Sequence, residues 1–136
     1  MNEIITKSVN ETIAWAGKFI KKNHNKIVCL NGIIGAGKSV IVRGFAKGLK
    51  IKEPITSPTF TLINEYKGTH PFYHFDLYRL NNLNELYDLG FEEYLIKPGI
   101  KVFEWAEKFD VFPQDIINIK IEIINYNERK IIINRK

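Results

Sequence analysis

The chemistry most plainly encoded in this chain is phosphate binding. Residues 32–39 read Gly-Ile-Ile-Gly-Ala-Gly-Lys-Ser and match the pattern G-x-x-x-x-G-K-[ST] at every fixed position. In such a loop the glycines let backbone N–H groups turn toward phosphate oxygens, and the following helix points its positive N-terminal end at the same anion. Lys38 would supply a charge to the β- and γ-phosphates, and Ser39 a hydroxyl for Mg²⁺. The pattern predicts a nucleotide-binding P-loop.

Two acidic residues stand where a P-loop protein places its acidic partners. Asp76 ends the aromatic segment 72–76, and Glu104 ends an apolar segment at 100–103. Because ligands bind at the carboxyl ends of parallel strands, both carboxylates could face the phosphates along one edge of a sheet. Each acid could instead be a solvated strand end, so the prediction rests on the pair. His74 is expected to pack and to hydrogen-bond rather than to act as a catalytic base.

The sequence also bears on which base the loop would serve. A GTPase normally carries an Asn-Lys-x-Asp motif after its P-loop, and this chain has none. The run Asn25-Lys26-Ile27-Val28 lacks the aspartate and precedes the loop. ATP with Mg²⁺ is therefore the predicted ligand.

Helices and strands predicted from apolar spacing and turn residues would position these groups. A capping box at Ser8 opens a helix that ends near Asn23, a second helix runs from Lys38 to about Leu49, and short helices follow at 82–95. Strands are predicted at 27–30, 60–66, 72–78, 100–103, 117–123 and through 131–133. The mixture predicts an α/β fold: a P-loop NTPase-like, mostly parallel sheet flanked by helices, with added antiparallel C-terminal strands.

Length and composition limit the classes of protein to which this chain can belong. The chain has 136 residues, a length that fits a single domain, 1–136. Because 45% of the residues are hydrophobic, the composition excludes a chain that is disordered throughout. Its longest apolar runs fall far short of the roughly 20 residues of a membrane-spanning helix. Residues 1–7 contain no apolar signal-peptide region. The single cysteine, Cys29, excludes an internal disulfide and a cysteine-cluster metal site. We therefore expect a cytoplasmic protein.

The net charge of +5 raises the question of a polyanionic partner such as RNA. Lys and Arg number 20 against 15 Asp and Glu, but only four are Arg and the lysines are scattered along the chain. This pattern favours a compositional bias over a dedicated nucleic-acid surface.

Four motifs together resemble those of the TsaE (YjeE) family. They are the P-loop, Ser-Pro-Thr-Phe-Thr-Leu at 57–62, Tyr-His-Phe-Asp-Leu-Tyr-Arg-Leu at 73–80, and Glu104-Trp105. Their order and spacing match the family along nearly the whole chain, which is far more specific than a lone P-loop. The family comprises small bacterial ATPases that support threonylcarbamoyladenosine modification of tRNA with the transferase TsaD and its partner TsaB. The resemblance implies a Mg-dependent ATPase with TsaD and TsaB as partners and no membrane attachment, and it leaves direct tRNA contact open.

The resemblance also implies a role for each matched residue. Ser39 and Glu104 would bind Mg²⁺, Asp76 would be the Walker B acid that orders the attacking water, and residues 57–59 would form a switch-like loop near the γ-phosphate. Thr12 matches a threonine near the adenine, and Arg129 matches, most loosely, a late basic residue. The implied catalytic residues are Lys38, Asp76 and Glu104. The implied nucleotide-binding residues are Thr12, Gly35, Ala36, Gly37, Lys38, Ser39, Val40, Thr59, Trp105 and Arg129. For Trp105 a place in the core or the pocket wall is favoured over nucleotide contact or partner docking.

Three residues depart from the family pattern. Ile33, followed by Ile34, stands where the family usually has an aspartate, so a carboxylate is missing from the loop. Ser39 replaces the commoner threonine and keeps the hydroxyl. Ala106 stands where a proline often follows the Glu-Trp pair. These departures preserve the phosphate cradle and leave the rate of turnover open.

Two other functions remain open at the level of sequence. A small-molecule P-loop kinase would use the same cradle, although such kinases usually need a substrate-binding insertion and an arginine-bearing lid. A nucleotide-gated interaction module with negligible turnover alone would share the whole site. The sequence barely separates this module from an ATPase.

Overall fold

Seven strands form one sheet in the part of the chain that the structure, a computed structural model, describes: residues 2–33 and 35–135. The strands are β1 (Asn2–Thr6), β2 (Ile27–Asn31), β3 (Ile63–Lys67), β4 (Pro71–Asp76), β5 (Ile100–Glu104), β6 (Ile116–Ile123) and β7 (Arg129–Arg135). They lie in the order β1-β7-β6-β2-β5-β4-β3. The four central strands, β6, β2, β5 and β4, run parallel, and β7, β1 and β3 pair antiparallel at the flanks. The predicted fold class is confirmed.

Helices cover the central strands on both faces. They are α1 (Val9–Lys22), α2 (Lys38–Gly48), α3 (Leu83–Asp88) and α4 (Phe91–Ile96), with a short 3-10 helix at Ala106–Lys108. Helices α1 and α2 bury one face of the sheet, whereas α3, α4 and the 3-10 helix bury an aromatic cluster on the other. The run Ile27–Leu30 is buried on both sides, as expected of a central parallel strand. No helix within the described ranges is long and apolar enough to cross a lipid bilayer.

The parallel strands bring the P-loop, Glu104 and Asp76 together at the carboxyl ends of β2, β5 and β4. Strand β2 leads into the P-loop, and β5 and β4 follow it in the sheet order. In the β4–β5 register Asp76 lies opposite Glu104, so the two strands end side by side. Side chains alternate along a strand. Asp76 and His74 therefore point to the same face as Phe72, which packs in the cluster beneath α1 and α2.

Several details of the strands differ from the sequence prediction. Strand β1 is not among the predicted strands, and β4 ends at Asp76 rather than at Tyr78. Strand β3 begins at Ile63 rather than Phe60, because the Leu62 N–H donates to the Pro58 carbonyl (2.7 Å) and closes a turn. Leu62 also has a φ of 70°, a left-handed conformation that no strand continues through. Among the C-terminal strands, β7 is antiparallel to β6, whereas β6 is itself parallel to β2.

Helices α1 and α2 approach each other so closely that position 44 of α2 has no room for a side chain. A Cβ atom on Gly44 would lie 2.5 Å from the Cβ of Ala16 and 2.8 Å from the carbonyl oxygen of Ile13. On the facing helix, a Cβ atom on Gly17 would come no closer than 3.4 Å to its nearest neighbour, the carbonyl oxygen of Gly44. The two glycines thus sit at one interface with different amounts of space.

We expect Gly44→Ala to lower the free energy of unfolding by about 1–3 kcal/mol, because the two helix backbones must move apart. The better helix propensity of alanine, about 1 kcal/mol, offsets part of this loss. Gly17→Ala gains the same propensity without a backbone clash and is the matched control, expected to be at least as stable as the parent. Urea denaturation of the three chains measures the effect. A Gly44→Ala chain as stable as the parent would contradict the close contact.

Candidate functional site

The P-loop presents a helix N-terminus that carries no capping side chain. Gly35 and Gly37 adopt positive φ angles of 84° and 118°, which favour glycine. Gly37 is the N-cap of α2 and offers no side chain to the first backbone N–H groups of that helix. The N–H of Val40 donates to the Gly37 carbonyl (3.1 Å), whereas the N–H groups at the very start of a helix have no intrahelical acceptor and remain available to an anion.

Lys38, the first residue of α2, is held beside an acid and an aromatic ring. Its Nζ lies 3.7 Å from Glu104 Oε1 and 5.2 Å from the centre of the Trp105 ring. Trp105 has a φ of 65°, an unusual conformation for a non-glycine residue that costs on the order of 1–3 kcal/mol. Its ring also packs against Tyr78, with centroids 4.9 Å apart. The strained backbone thus carries the indole that flanks the lysine.

Glu104 is engaged at both carboxylate oxygens. Oε2 lies 2.7 Å from His74 Nε2, and Oε1 faces Lys38. Burial acts to raise the pKa of Glu104, but the contact with His74 and the charge of Lys38 outweigh it. The net pKa is lowered from its ordinary value of 4.5, so the carboxylate is ionised at neutral pH.

The lowered pKa of Glu104 predicts a loss of stability in acid. Because the unfolded chain takes up this proton first as the pH falls, the contribution of the carboxylate is complete above pH 4.5 and disappears through the lower folded-state pKa. Relative to Glu104→Gln, the parent should therefore lose stability from about pH 5 downward and keep a constant difference at neutral pH. Denaturant unfolding across this range checks the expectation. A stability difference independent of pH would contradict it.

Asp76 is fixed by bonds from two segments that flank it. Its Oδ1 accepts the backbone N–H of Tyr78 (3.0 Å), and its Oδ2 accepts the hydroxyl of Thr59 (3.3 Å). The Thr59 hydroxyl also lies 2.6 Å from that of Ser57. The loop at residues 57–59 is therefore hydrogen-bonded to the strand-end acid.

One cavity of about 650 Å³ brings together every residue that the sequence nominated. Its volume falls in the range of small-molecule and cofactor sites. It is lined by Thr12, Gly35, Ala36, Gly37, Lys38, Ser39, Val40, Thr59, Asp76, Glu104, Trp105 and Arg129, among others. The structure thus places all the nominated residues around one space, while their roles toward a ligand remain predictions.

Thr12 and Arg129 also have protein partners. The Thr12 hydroxyl lies 2.7 Å from that of Thr6 and donates to the Ser8 carbonyl at 3.3 Å. The Arg129 Nε donates to the Ala36 carbonyl (2.8 Å), and its Nη1 donates to carbonyls of the β6–β7 turn. Arg129 therefore clamps this turn against the P-loop. Its Nη2 has no protein acceptor among the described residues and could donate to a ligand.

The cavity also includes residues that the sequence did not nominate. Tyr126 and Asn127, at the β6–β7 turn, line it, and Tyr126 is 92% exposed. Arg43, one helical turn beyond Ser39, lines it as well; the sequence suggests it as a phosphate-stabilising residue but favours a surface position for it. The sequence predicts a turn at Tyr126-Asn127-Glu128 before the last strand, but only the folded sheet brings that turn to the P-loop.

The residues present fit a magnesium ion that is shared with phosphates. Ser39 contributes a hydroxyl, and Glu104 and Asp76 contribute carboxylates, which are oxygen donors of the kind Mg²⁺ prefers. Within the described residues no cluster of three or more His, Cys, Asp or Glu side chains could hold a metal alone. Mg²⁺ usually keeps only one or two protein carboxylates and takes other ligands from substrate phosphates and water, so the sparse donor set suits it.

The departure from the family pattern at the P-loop lies at the surface. Ile33 is 68% exposed and contributes no polar side chain to the loop, although its backbone carbonyl accepts the Ala36 N–H (3.0 Å). Ile34 lies outside the described residues. The replacement leaves the glycine geometry and Lys38 in place.

Comparisons with known proteins agree with this architecture. The family model of "Threonylcarbamoyl adenosine biosynthesis protein TsaE" matches residues 6–131. The TsaE of Treponema pallidum is 35% identical over 93% of this chain and 96% of its own length, and that of Aquifex aeolicus is 39% identical over 100% and 98%. The crystal structure of Bacillus subtilis YdiB matches with a TM-score of 0.76 and 33% identity, covering 96% of this chain and 82% of that chain. The chain therefore belongs to the TsaE family of tRNA threonylcarbamoyladenosine biosynthesis proteins.

Proposed function

We propose that the chain binds Mg-ATP and hydrolyses it as a subunit of the machinery that makes threonylcarbamoyladenosine in tRNA. One observation carries the proposal: an uncapped helix N-terminus, a lysine and two strand-end carboxylates converge on a single cavity. Positioning and charge stabilisation are almost all that a protein contributes to phosphoryl transfer, and these groups supply both. The absence of a guanine-reading motif supports ATP over GTP.

The charge and position of each residue indicate a separate role for it in binding and hydrolysis. Backbone N–H groups of the P-loop and the ammonium of Lys38 would bind the phosphates. Each oxygen of Asp76 accepts one protein hydrogen bond and keeps a further lone pair, so the carboxylate could hold and orient a water molecule. Ser39 and Glu104 would hold Mg²⁺. When bound, this ion would neutralise charge on the phosphate oxygens.

The Thr59–Asp76 hydrogen bond supports a nucleotide-gated interaction as a second candidate function. It links the acid nearest the expected γ-phosphate to an external loop. The next residue, Phe60, is 84% exposed, with the guanidinium of Arg79 5.3 Å from its ring centre. A change at Asp76 between ATP and ADP could therefore move an exposed aromatic side chain that a partner protein would contact.

We propose TsaD and TsaB as the partners and the cytoplasm as the location. The test measures ATP turnover and nucleotide affinity of the purified chain alone, with TsaB, with TsaD and with both. We expect slow turnover alone and faster turnover with both partners. Nucleotide binding without turnover in any mixture would favour the gated module, and phosphate transfer to an acceptor would favour a kinase. No affinity for Mg-ATP would refute the proposal. A further sample containing tRNA tests direct contact.

A further inference from the structure

His74 has a hydrogen-bonding pattern that packing alone does not explain. The side chain is buried on β4, with only 3% of the residue exposed, and its ring lies parallel to that of Phe72. Its Nδ1 is buried and has no hydrogen-bond partner among the described residues. A buried polar atom without a partner costs stability, and an apolar residue of similar shape would avoid that cost.

The other ring nitrogen makes a short and directed contact. Nε2 lies 2.7 Å from Glu104 Oε2. Because a carboxylate oxygen accepts hydrogen bonds, a contact this short requires Nε2 to carry the proton and donate it. The imidazole is therefore anchored in the described structure through this one polar contact.

This contact fixes which partner each carboxylate oxygen of Glu104 faces. Oε2 is committed to His74, while Oε1 stays 3.7 Å from Lys38 Nζ, longer than the roughly 2.7–2.9 Å of a close charge-assisted hydrogen bond. Without the imidazole, nothing in the described contacts would keep the carboxylate from rotating onto the ammonium. Acid and lysine would then neutralise each other.

We propose that His74 is a positioning residue that holds Glu104 apart from Lys38 and keeps one carboxylate oxygen available for Mg²⁺. This inference rests on the proposed function of the site. A hydrogen bond to a metal-binding carboxylate fixes its orientation, and losing such a partner typically weakens metal affinity by 10- to 100-fold.

The test uses two variants with opposite hydrogen-bonding ability. His74→Phe keeps an aromatic ring and removes the donor, whereas His74→Gln keeps an N–H near the position of Nε2. Titration calorimetry with a non-hydrolysable ATP analogue at several Mg²⁺ concentrations gives the Mg²⁺ requirement for binding. We expect His74→Phe to need about tenfold more Mg²⁺, and His74→Gln to lie within about threefold of the parent.

Two further measurements separate positioning from a structural role. In thermal unfolding without nucleotide, His74→Phe should stay close to the parent in stability, because removal of the unpaired Nδ1 offsets loss of the contact between Nε2 and Glu104. In the Glu104→Gln background, His74→Phe should add little to the Mg²⁺ requirement, since His74 acts through that carboxylate. Nitrogen NMR of the metal-free chain should show the Nε2–H tautomer for His74.

The outcomes distinguish this inference from the function beneath it. A parent chain with no Mg²⁺-dependent nucleotide binding would refute the proposed function. A parent that binds, with His74→Phe unchanged in its Mg²⁺ requirement, would overturn the positioning role alone. The same holds if His74→Gln is as impaired as His74→Phe, or if the Nδ1–H tautomer is observed.

Discussion

Replacing Lys38 by alanine is expected to weaken Mg-ATP binding by about 10- to 100-fold and to abolish turnover. Loss of a charge-assisted contact to phosphate costs on the order of 1.5–3 kcal/mol, which corresponds to that range of affinity. The structure supports a direct effect, because Nζ reaches into the cavity between Glu104 and the Trp105 ring. Calorimetric titration with a non-hydrolysable ATP analogue measures the affinity.

Lys47→Ala is the matched control for this variant. Lys47 is exposed in the last turn of the same helix, α2, so its removal changes the net charge equally without touching the cavity. Its nucleotide affinity should stay near that of the parent. Unchanged affinity in Lys38→Ala, or an equal loss in Lys47→Ala, would refute the assignment of Lys38 to the phosphates.

Replacing each strand-end acid by its amide should impair a different property of the site: nucleotide binding for Glu104 and turnover for Asp76. Glu104→Gln should weaken Mg²⁺-dependent nucleotide binding, because it removes the charge of a metal-binding oxygen. Asp76→Asn should lower turnover by about 10²-fold with a smaller effect on binding, because the acid that orients water loses its charge. Affinity and single-turnover hydrolysis, measured on both variants, separate the two effects.

Asp88→Asn and Glu92→Gln serve as controls for the same chemical changes at exposed positions on α3 and α4. Both should match the parent in affinity and turnover. If Asp76→Asn lost Mg²⁺-dependent binding while Glu104→Gln kept it, the roles of the two acids would have to be exchanged.

The parts of the site that could be predicted from the sequence are those set by local chemistry. The P-loop glycines, the capping box at Ser8 and the two acids at strand ends each depend on residues close in the chain. The structure shows the Ser8 hydroxyl accepting the Glu11 N–H (3.1 Å), which is one half of that box, whereas the Glu11 carboxylate accepts the N–H of Lys7 (2.9 Å) rather than that of Ser8. The neighbouring positions of Asp76 and Glu104 follow from parallel pairing of two predicted strands.

The parts that could not be predicted depend on contacts between distant segments. Residues Asn2–Thr6 carry weak strand signals and become β1 because they pair with β7. Phe60 to Leu62 have strand-forming side chains, but the bond from Leu62 to Pro58 makes a turn there. The His74–Glu104 bond joins two neighbouring strands, and no spacing within either strand could reveal it.

The pairing of β1 with β7 has a consequence for the order in which the chain can fold during synthesis. Strand β1 leaves the ribosome before its partner exists, and Thr6, opposite Arg129 in the register, must wait for nearly all the rest of the described chain. Arg129, in the same late segment, donates a hydrogen bond from its guanidinium to the Ala36 carbonyl. Contacts between residues so distant in sequence form slowly, because the chain loses the entropy of closing a long loop before these contacts stabilise it. A nascent chain that already displays its P-loop would therefore lack a finished nucleotide cavity, and ribosome-bound chains stalled before and after β7 would differ in nucleotide affinity.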